Sequence, residues 1–441
     1  MTENEPPEIA AMAADISDFF QSAHPFDLAV WLNQLPVAQA SGHLADIPLP
    51  RRAKVFAHLA RDRQVDLAQA LTPNDFAEMV AQMDADDRAD LFNLLPRAAQ
   101  HQLIHDLKQE DCENIRSLSA YPEGSAGAIM TTDYAVLEAG MTAAQAIDAL
   151  RCMGPGRETI YRSYVLDGDR RLIGSVRLHE LILADEATPI SNFMDKALKT
   201  VTPTTDREDV AKMIAQYDLF AVPVIEADGR VVGIVTHDDA TDAMQAEMTE
   251  DFQKISTVLP FTQSLRQAGI RVLYSKRIVW LALLIFGNLF SGAGIAYFED
   301  MILAYVSLVF FLPLLIDSSG NAGSQSATLM VRALATGDVE LKDWRDLILR
   351  ELIVAAALGA TMALVVFPVG ALRGGPEIAL TVGLTMFVVV IIGSLVGMSL
   401  PFLLSRLRLD PATASGPLVT TISDGMGVLI YFSIASVVLG L

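Results

Sequence analysis

Two carboxylates stand inside apolar runs of the C-terminal half: Asp317 in "LPLLIDSSGNAGSQSATL" and Asp424 in "PLVTTISDGMGVLIYF". An acid near the centre of a membrane helix costs roughly 2.5–3.5 kcal/mol on insertion scales, so such acids are functional by default. Asn321, Gln325 and Ser326 follow the first acid, and Thr420, Thr421 and Ser423 surround the second. All of them offer oxygen. The seven histidines end at His237 and the two cysteines are Cys112 and Cys152, so the membrane half has neither imidazole nor thiol. This donor set suits a hard cation such as Mg²⁺ or Ca²⁺ and speaks against soft-metal chemistry. Without HExxH or a nucleophile beside a base, the membrane half does not read as an enzyme. Mg²⁺ gives up water reluctantly, so a site with few carboxylates can hold it through its hydration shell. One Asp per chain on a two-fold axis would set two carboxylates against one divalent ion. The plainer reading of Asp424 is a helix-start or kink residue satisfied by Ser423 and backbone groups.

The elements that would position these acids are five apolar runs, 278–298, 301–321, 350–371, 378–404 and 415–440, each long enough to cross a bilayer. Asp317 lies 15 residues before Arg332 and Asp424 lies 14 after Asp410, about 20 Å along an unbroken helix in both cases. Gly, Ser and Asn crowd the stretch after Asp317. The expectation is a local opening of the helix, with carbonyls lining a wet cavity. Basic residues alternate from loop to loop (Arg266, Arg271, Lys276 and Arg277; then Arg332, Lys342, Arg345 and Arg350; then Arg406 and Arg408). That alternation predicts a cytoplasmic N-terminal half and an external C-terminus.

Of the formal charge of −21, all belongs to residues 1–259, because residues 260–441 carry 11 acids and 11 bases. Such a field repels nucleic acid and attracts cations. Apolar residues at helical spacing, broken by Pro, Asp and Asn, predict short helices stacked in pairs over 20–122. Over 123–250 two segments repeat, "YVLDGDRRLIGSV" and "VPVIEADGRVVGIV", with Val165 and Val224, like Gly174 and Gly233, 59 residues apart. Each reads as a hairpin after an amphipathic helix, a duplicated α/β module. Residues 1–19 read as a disordered tail, 251–275 as a connecting helix, and 276–441 as a membrane domain of five helices.

The segments "YPEGSAGAIMTT", the paired hairpins, "GNAGSQSATLMVRALATGD" and "LDPATASGPLVTTISDGMGVLIYF" resemble the MgtE-type magnesium channel family from about residue 20 to the end. The repeat resembles a CBS (cystathionine-β-synthase-type) pair. The resemblance implies a multidomain membrane protein: a helical N-terminal domain, a CBS pair, a connecting plug helix and a five-helix transmembrane domain. It implies a homodimer in the cytoplasmic membrane that conducts Mg²⁺ inward and closes when cytosolic Mg²⁺ binds its soluble domains. The alternative is an ion- or proton-coupled transporter of Mg²⁺, Co²⁺ or other divalent cations. Carried over by motif, Asp424 is the pore acid; Asp317, Asn321 and Thr420 are pore-lining candidates from their own chemistry and position. Asp206, Glu208, Asp218, Asp239, Asp242, Glu247, Glu250, Asp251 and Asp410 are the Mg²⁺-sensing acids. Asp86, Asp87 and Asp90 of "DADDRAD" are further candidates. Gly233, Thr236 and Asp239 resemble a nucleotide-ribose contact, which implies one adenine-nucleotide (ATP) site; "GSVRLHE" has Arg177 and Glu180 at the equivalent places. Three positions depart from the family pattern: Asp317 stands where a small neutral residue is usual, Ser324 replaces an Asn, and Gly416 a second Asn.

Overall fold

The computed structural model describes residues 19–154, 157–261 and 268–440. The tail expected over 1–19 therefore lies almost wholly outside the described residues, as do Arg266 and part of the expected connecting helix. The chain divides into two compact units, parting between Ala246 and Glu247.

In the first unit, eight helices run from Pro25–Gln34 to Gln109–Leu118 among the described residues. Pro36, Pro48 and Pro96 are N-caps, and the residues before them, Leu35, Ile47 and Leu95, are extended. A residue before proline is pushed out of the α region, so each Leu-Pro or Ile-Pro pair turns the chain. Leu35, Ile47 and Leu95 also bury their side chains in or against one core that includes Leu28, Leu44, Phe56 and Met79. Along the row, each helix packs on the second one after it, a superhelical stack.

The α/β part follows. Strand Tyr134–Glu138 pairs in parallel with Thr159–Leu166, which pairs antiparallel with Leu172–Arg177. A second hairpin joins Ala221–Ile225 to Val231–Thr236. The residues that mark the repeat are cross-strand partners in both copies: Val165 faces Gly174 and Val224 faces Gly233. Their glycines have a packing reason. A Cβ on Gly174 would stand 2.7 Å from the Met194 sulfur, and one on Gly233 would stand 2.7 Å from the Met130 sulfur. Both distances are below contact.

The helix leaving the second hairpin is continuous over His237–Ile255. A connecting helix over 251–275 is thus not what forms: it starts inside the repeat and ends where Thr257 takes φ 55°. The next helix begins at Ile270.

The second unit holds helices Ile270–Tyr297, Ser307–Ala335, Trp344–Arg406 and Gly416–Leu439, with a short Glu299–Ala304 turn of helix. Among the described residues, three stretches are long and apolar enough to cross a membrane: Ile270–Tyr297, Leu341–Arg406 and Gly416–Leu439. Trp344–Arg406 is two helices meeting at Gly375, where φ is 83° and ψ −176°. Only glycine adopts that conformation readily, and Pro376 follows it. The expected spans 350–371 and 378–404 lie on either side.

The Gly/Ser/Asn stretch corrects one expectation. Ser307–Ala335 runs through it as an unbroken helix. Its small residues are buried rather than opened: Ser319 donates to the Val389 carbonyl at 2.9 Å, and Gly320 and Gly323 are buried against neighbouring helices. Small side chains here allow close helix–helix approach. Asp317, Asn321 and Gln325 instead share the exposed face.

Candidate functional site

Asp317 and Asp424 line one cavity. A cavity of about 440 Å³ is lined by Leu312, Pro313, Ile316, Asp317, Gly320, Thr420 and Asp424. Its walls are helices Ser307–Ala335 and Gly416–Leu439, which pack directly. They approach at Gly320, where a Cβ would stand 2.8 Å from the Thr420 methyl. Asn321, one turn on from Asp317, donates its amide to Asp317 Oδ2 at 2.9 Å. Thr420 and Thr421 both donate to the Pro417 carbonyl at 2.9 Å, so each hydroxyl keeps only lone pairs for other contacts. Ser423 is fully buried and its hydroxyl has no hydrogen-bond partner. It does not bond to Asp424, so the Ser423 contact of the plainer reading does not form. Six waters occupy roughly 180 Å³ at about 30 Å³ each, so the cavity has room for a hydrated divalent cation.

A second set of acids gathers in the soluble unit. Carboxylate oxygens of Glu158, Asp238 and Asp239 lie within 4.8 Å of one another. Asp86 adjoins Asp239, and Asp87 feels Asp86 and Asp84. Asp86 and Asp87 occupy the first turn of helix Ala85–Leu94, and Asp238 and Asp239 the first turn of His237–Ile255. Helix N-termini offset part of this negative charge. Burial, then the neighbouring carboxylates, push Asp86, Asp87 and Asp239 above the usual range. Burial, then Asp86, lifts Glu158 to about 7. Asp86 Oδ1 and Glu158 Oε2 are buried without a hydrogen bond. The nearby buried guanidinium does not relieve them: Arg88 pairs with Asp111 at 2.5 Å and Asp133 at 3.7 Å. Orphaned carboxylate oxygens among all-oxygen donors fit a hard divalent cation.

The remaining sequence-derived acids are placed as follows. Thr236 donates to Asp239. Asp206 caps helix Arg207–Gln216 by accepting from the Glu208 amide at 2.8 Å, and Glu208 pairs with Lys212 at 2.9 Å. Asp218 sits at a left-handed turn, φ 50°. Asp90 pairs with Arg61 at 3.5 Å. Asp242 acts on His58, whose pKa is lowered by burial and then His24, while Asp242 opposes both. Glu247 and Asp251 lie farther along the same helix.

In the second unit Lys254 joins Glu250 at 2.7 Å to Asp410 at 2.5 Å. Burial alone would lower its pKa, but the hydrogen bonds it donates to Asp410 and Glu250 outweigh that and hold it raised. Asp410 also accepts from the Ala412 amide at 2.8 Å.

Three of these residues were missed in sequence. The one sequence signal for Asp238 is its place beside Asp239 in "HDD". Glu158 carries no local signal, because the residues it meets lie far away in the chain. Lys254 carries no local signal either, because Asp410 lies 156 residues away.

Four regions match three family descriptions: residues 23–124 the MgtE intracellular N domain, 126–187 and 190–246 the CBS domain, and 312–434 MgtE, a divalent cation transporter. The magnesium transporter MgtE of Thermus thermophilus is 36% identical over 427 residues, covering 96% of this chain and 95% of that protein. The magnesium transporter MgtE of Bacillus subtilis is 29% identical over 426 residues, covering 96% and 93%. A crystal structure of the cytosolic domain of the Mg²⁺ channel MgtE in complex with ATP superposes with a TM-score of 0.50 at 33% identity, covering 51% of this chain and 92% of that one.

Proposed function

The chain belongs to the MgtE family of divalent cation transporters, and from that premise we propose that it is a Mg²⁺ channel gated by cytosolic Mg²⁺. The family is one of transporters, not enzymes. The observation that carries the reading is the cavity shared by Asp317, Thr420 and Asp424. It is polar only through acceptors and a carboxylate pair, and is wide enough for an ion with its water.

Ions enter the cytoplasm passively, driven by the membrane potential, which acts on a divalent charge twice as strongly as on a monovalent one. The exposed row of Asp317, Asn321 and Gln325 on one helix face cannot face lipid cheaply. A second copy across a two-fold axis would cover it and complete the pore. The N-terminal half is then cytoplasmic and the C-terminus external.

Gating uses the acids of the soluble unit. At low cytosolic Mg²⁺ the carboxylates of Asp86, Asp87, Glu158, Asp238 and Asp239 repel one another and favour a loosened arrangement. Mg²⁺ neutralises that charge and stabilises the compact form, because it binds that form better. Asp206, Glu208, Asp218, Asp242, Glu247, Glu250, Asp251 and Asp410 add to the acid field that draws the ion in. ATP binding at Gly233, Thr236 and Asp239 is part of the proposal. It is supported by the ATP complex of a similar cytosolic domain, and it would use the Asp239 carboxylate that Thr236 now engages.

The test is Mg²⁺ uptake into proteoliposomes by the purified chain and by Asp424→Ala, with size-exclusion chromatography to check assembly. Folded Asp424→Ala without uptake supports the pore; uptake equal to the unsubstituted chain refutes it. Uptake that tracks a pH gradient would make the protein a proton-coupled transporter instead.

A further inference from the structure

We infer that Asp317 is a specificity-determining residue of the pore, giving each chain its own pair of carboxylates and hence a full complement of charge for one divalent cation. The inference rests on reading the cavity as the ion pathway.

Three observations carry it. Asp317 and Asp424 line the same cavity, and the remaining lining besides Thr420 is Leu312, Pro313, Ile316 and Gly320. Those four residues bring no charge of their own, so the two carboxylates are the only charged groups lining the cavity. Next, Asn321 holds Asp317 Oδ2 at 2.9 Å. The amide fixes the carboxylate's rotamer, leaving Oδ1 for the water shell of an ion. Finally, Thr420 spends its proton on Pro417 at 2.9 Å, so the cavity offers acceptors only. Water bound to a cation donates to every one of them.

The charge count then separates ions by valence. With one carboxylate per chain, a monovalent cation neutralises the chain's share as well as half a divalent one does. With two, one divalent ion replaces two monovalent ions in a space that holds one hydrated ion comfortably. Two chains about an axis present four carboxylates, enough for two divalent ions at once. Mutual repulsion between neighbouring bound ions is what lets a tight site release them.

The experiment uses the full-length chain in proteoliposomes and measures the Mg²⁺ concentration dependence of uptake together with Na⁺ flux in Mg²⁺-free buffer. Asp317→Asn should raise the half-saturating Mg²⁺ concentration at least 10-fold, and Mg²⁺ should block its Na⁺ flux at least 10-fold less tightly. Asn321→Ala, which keeps both acids but frees Asp317, should shift both in the same direction by less. It also serves if Asp317→Asn fails to assemble. An unchanged concentration dependence and unchanged block in the folded variants overturn the inference. If Asp424→Asn also transports normally, the pore reading itself has failed. If Asp424→Asn is dead while Asp317→Asn matches the unsubstituted chain, only the role of Asp317 has failed.

Discussion

Replacing Glu158 with Gln should stabilise the Mg²⁺-free protein at neutral pH and weaken its response to Mg²⁺. The side chain has a buried oxygen without a partner and a pKa lifted to about 7, first by burial and then by Asp86. The sign follows from linkage. A carboxyl whose folded pKa is raised costs nothing below its unfolded value, and stability falls as pH rises from about 4.5 through about 7. At neutral pH the cost is about 3 kcal/mol undiscounted, and about 1–3 kcal/mol once partial solvent access is allowed for. At about 2–4 °C per kcal/mol for a unit of this size, Glu158→Gln should melt about 2–12 °C higher at pH 7.5 without divalent ions. The two proteins should converge near pH 4.5. Saturating Mg²⁺ reverses the order of benefit, because the ion relieves the repulsion that the substitution has already removed. The assay is a thermal melt of the full chain with protease protection of the soluble unit, across pH and Mg²⁺. If the unsubstituted chain gains nothing from Mg²⁺ between pH 6 and 8, or the variant gains equally, this cluster is not an ion site.

Other substitutions probe the supports around the sites. Lys254→Met leaves Glu250 and Asp410 facing each other without their cation, so hydrogen exchange over Phe252–Ile255 should quicken in Mg²⁺-free buffer and slow again when Mg²⁺ is added. Exchange indifferent to the variant would show that Lys254 holds nothing together. Arg88→Met removes the buried cation between Asp111 and Asp133, which should cost about 3–5 kcal/mol and appear as a large fall in melting temperature. A fall smaller than a few degrees would mean that water or another cation reaches those acids.

What the sequence carried depended on range. The hairpins were legible because the Val–Gly spacing of the repeat is also a cross-strand pairing, Val165 with Gly174 and Val224 with Gly233. The short helices were legible because Leu-Pro and Ile-Pro pairs stop the chain locally. The MgtE family and the order of domains followed from motif order. Helix continuity through Asp317 was not legible, since "SSGNAGSQS" has the composition of a loop. Its helical form depends on neighbours that accept close approach, such as Val389 for the Ser319 hydroxyl. The acid cluster was half legible: Asp86, Asp87 and Asp239 stand in acidic runs, whereas Glu158 joins them only through the tertiary fold. The Lys254 junction likewise spans 156 residues, beyond any local pattern.

The most direct test is current recording from the purified full-length chain in a planar bilayer, with Mg²⁺ varied separately on each side. Unitary Mg²⁺ currents should follow the electrochemical gradient, shut as Mg²⁺ rises on the side bearing the soluble domains, and be absent in Asp424→Ala. Flux without unitary currents, or currents indifferent to Mg²⁺ on that side, would contradict a channel gated by its own ion.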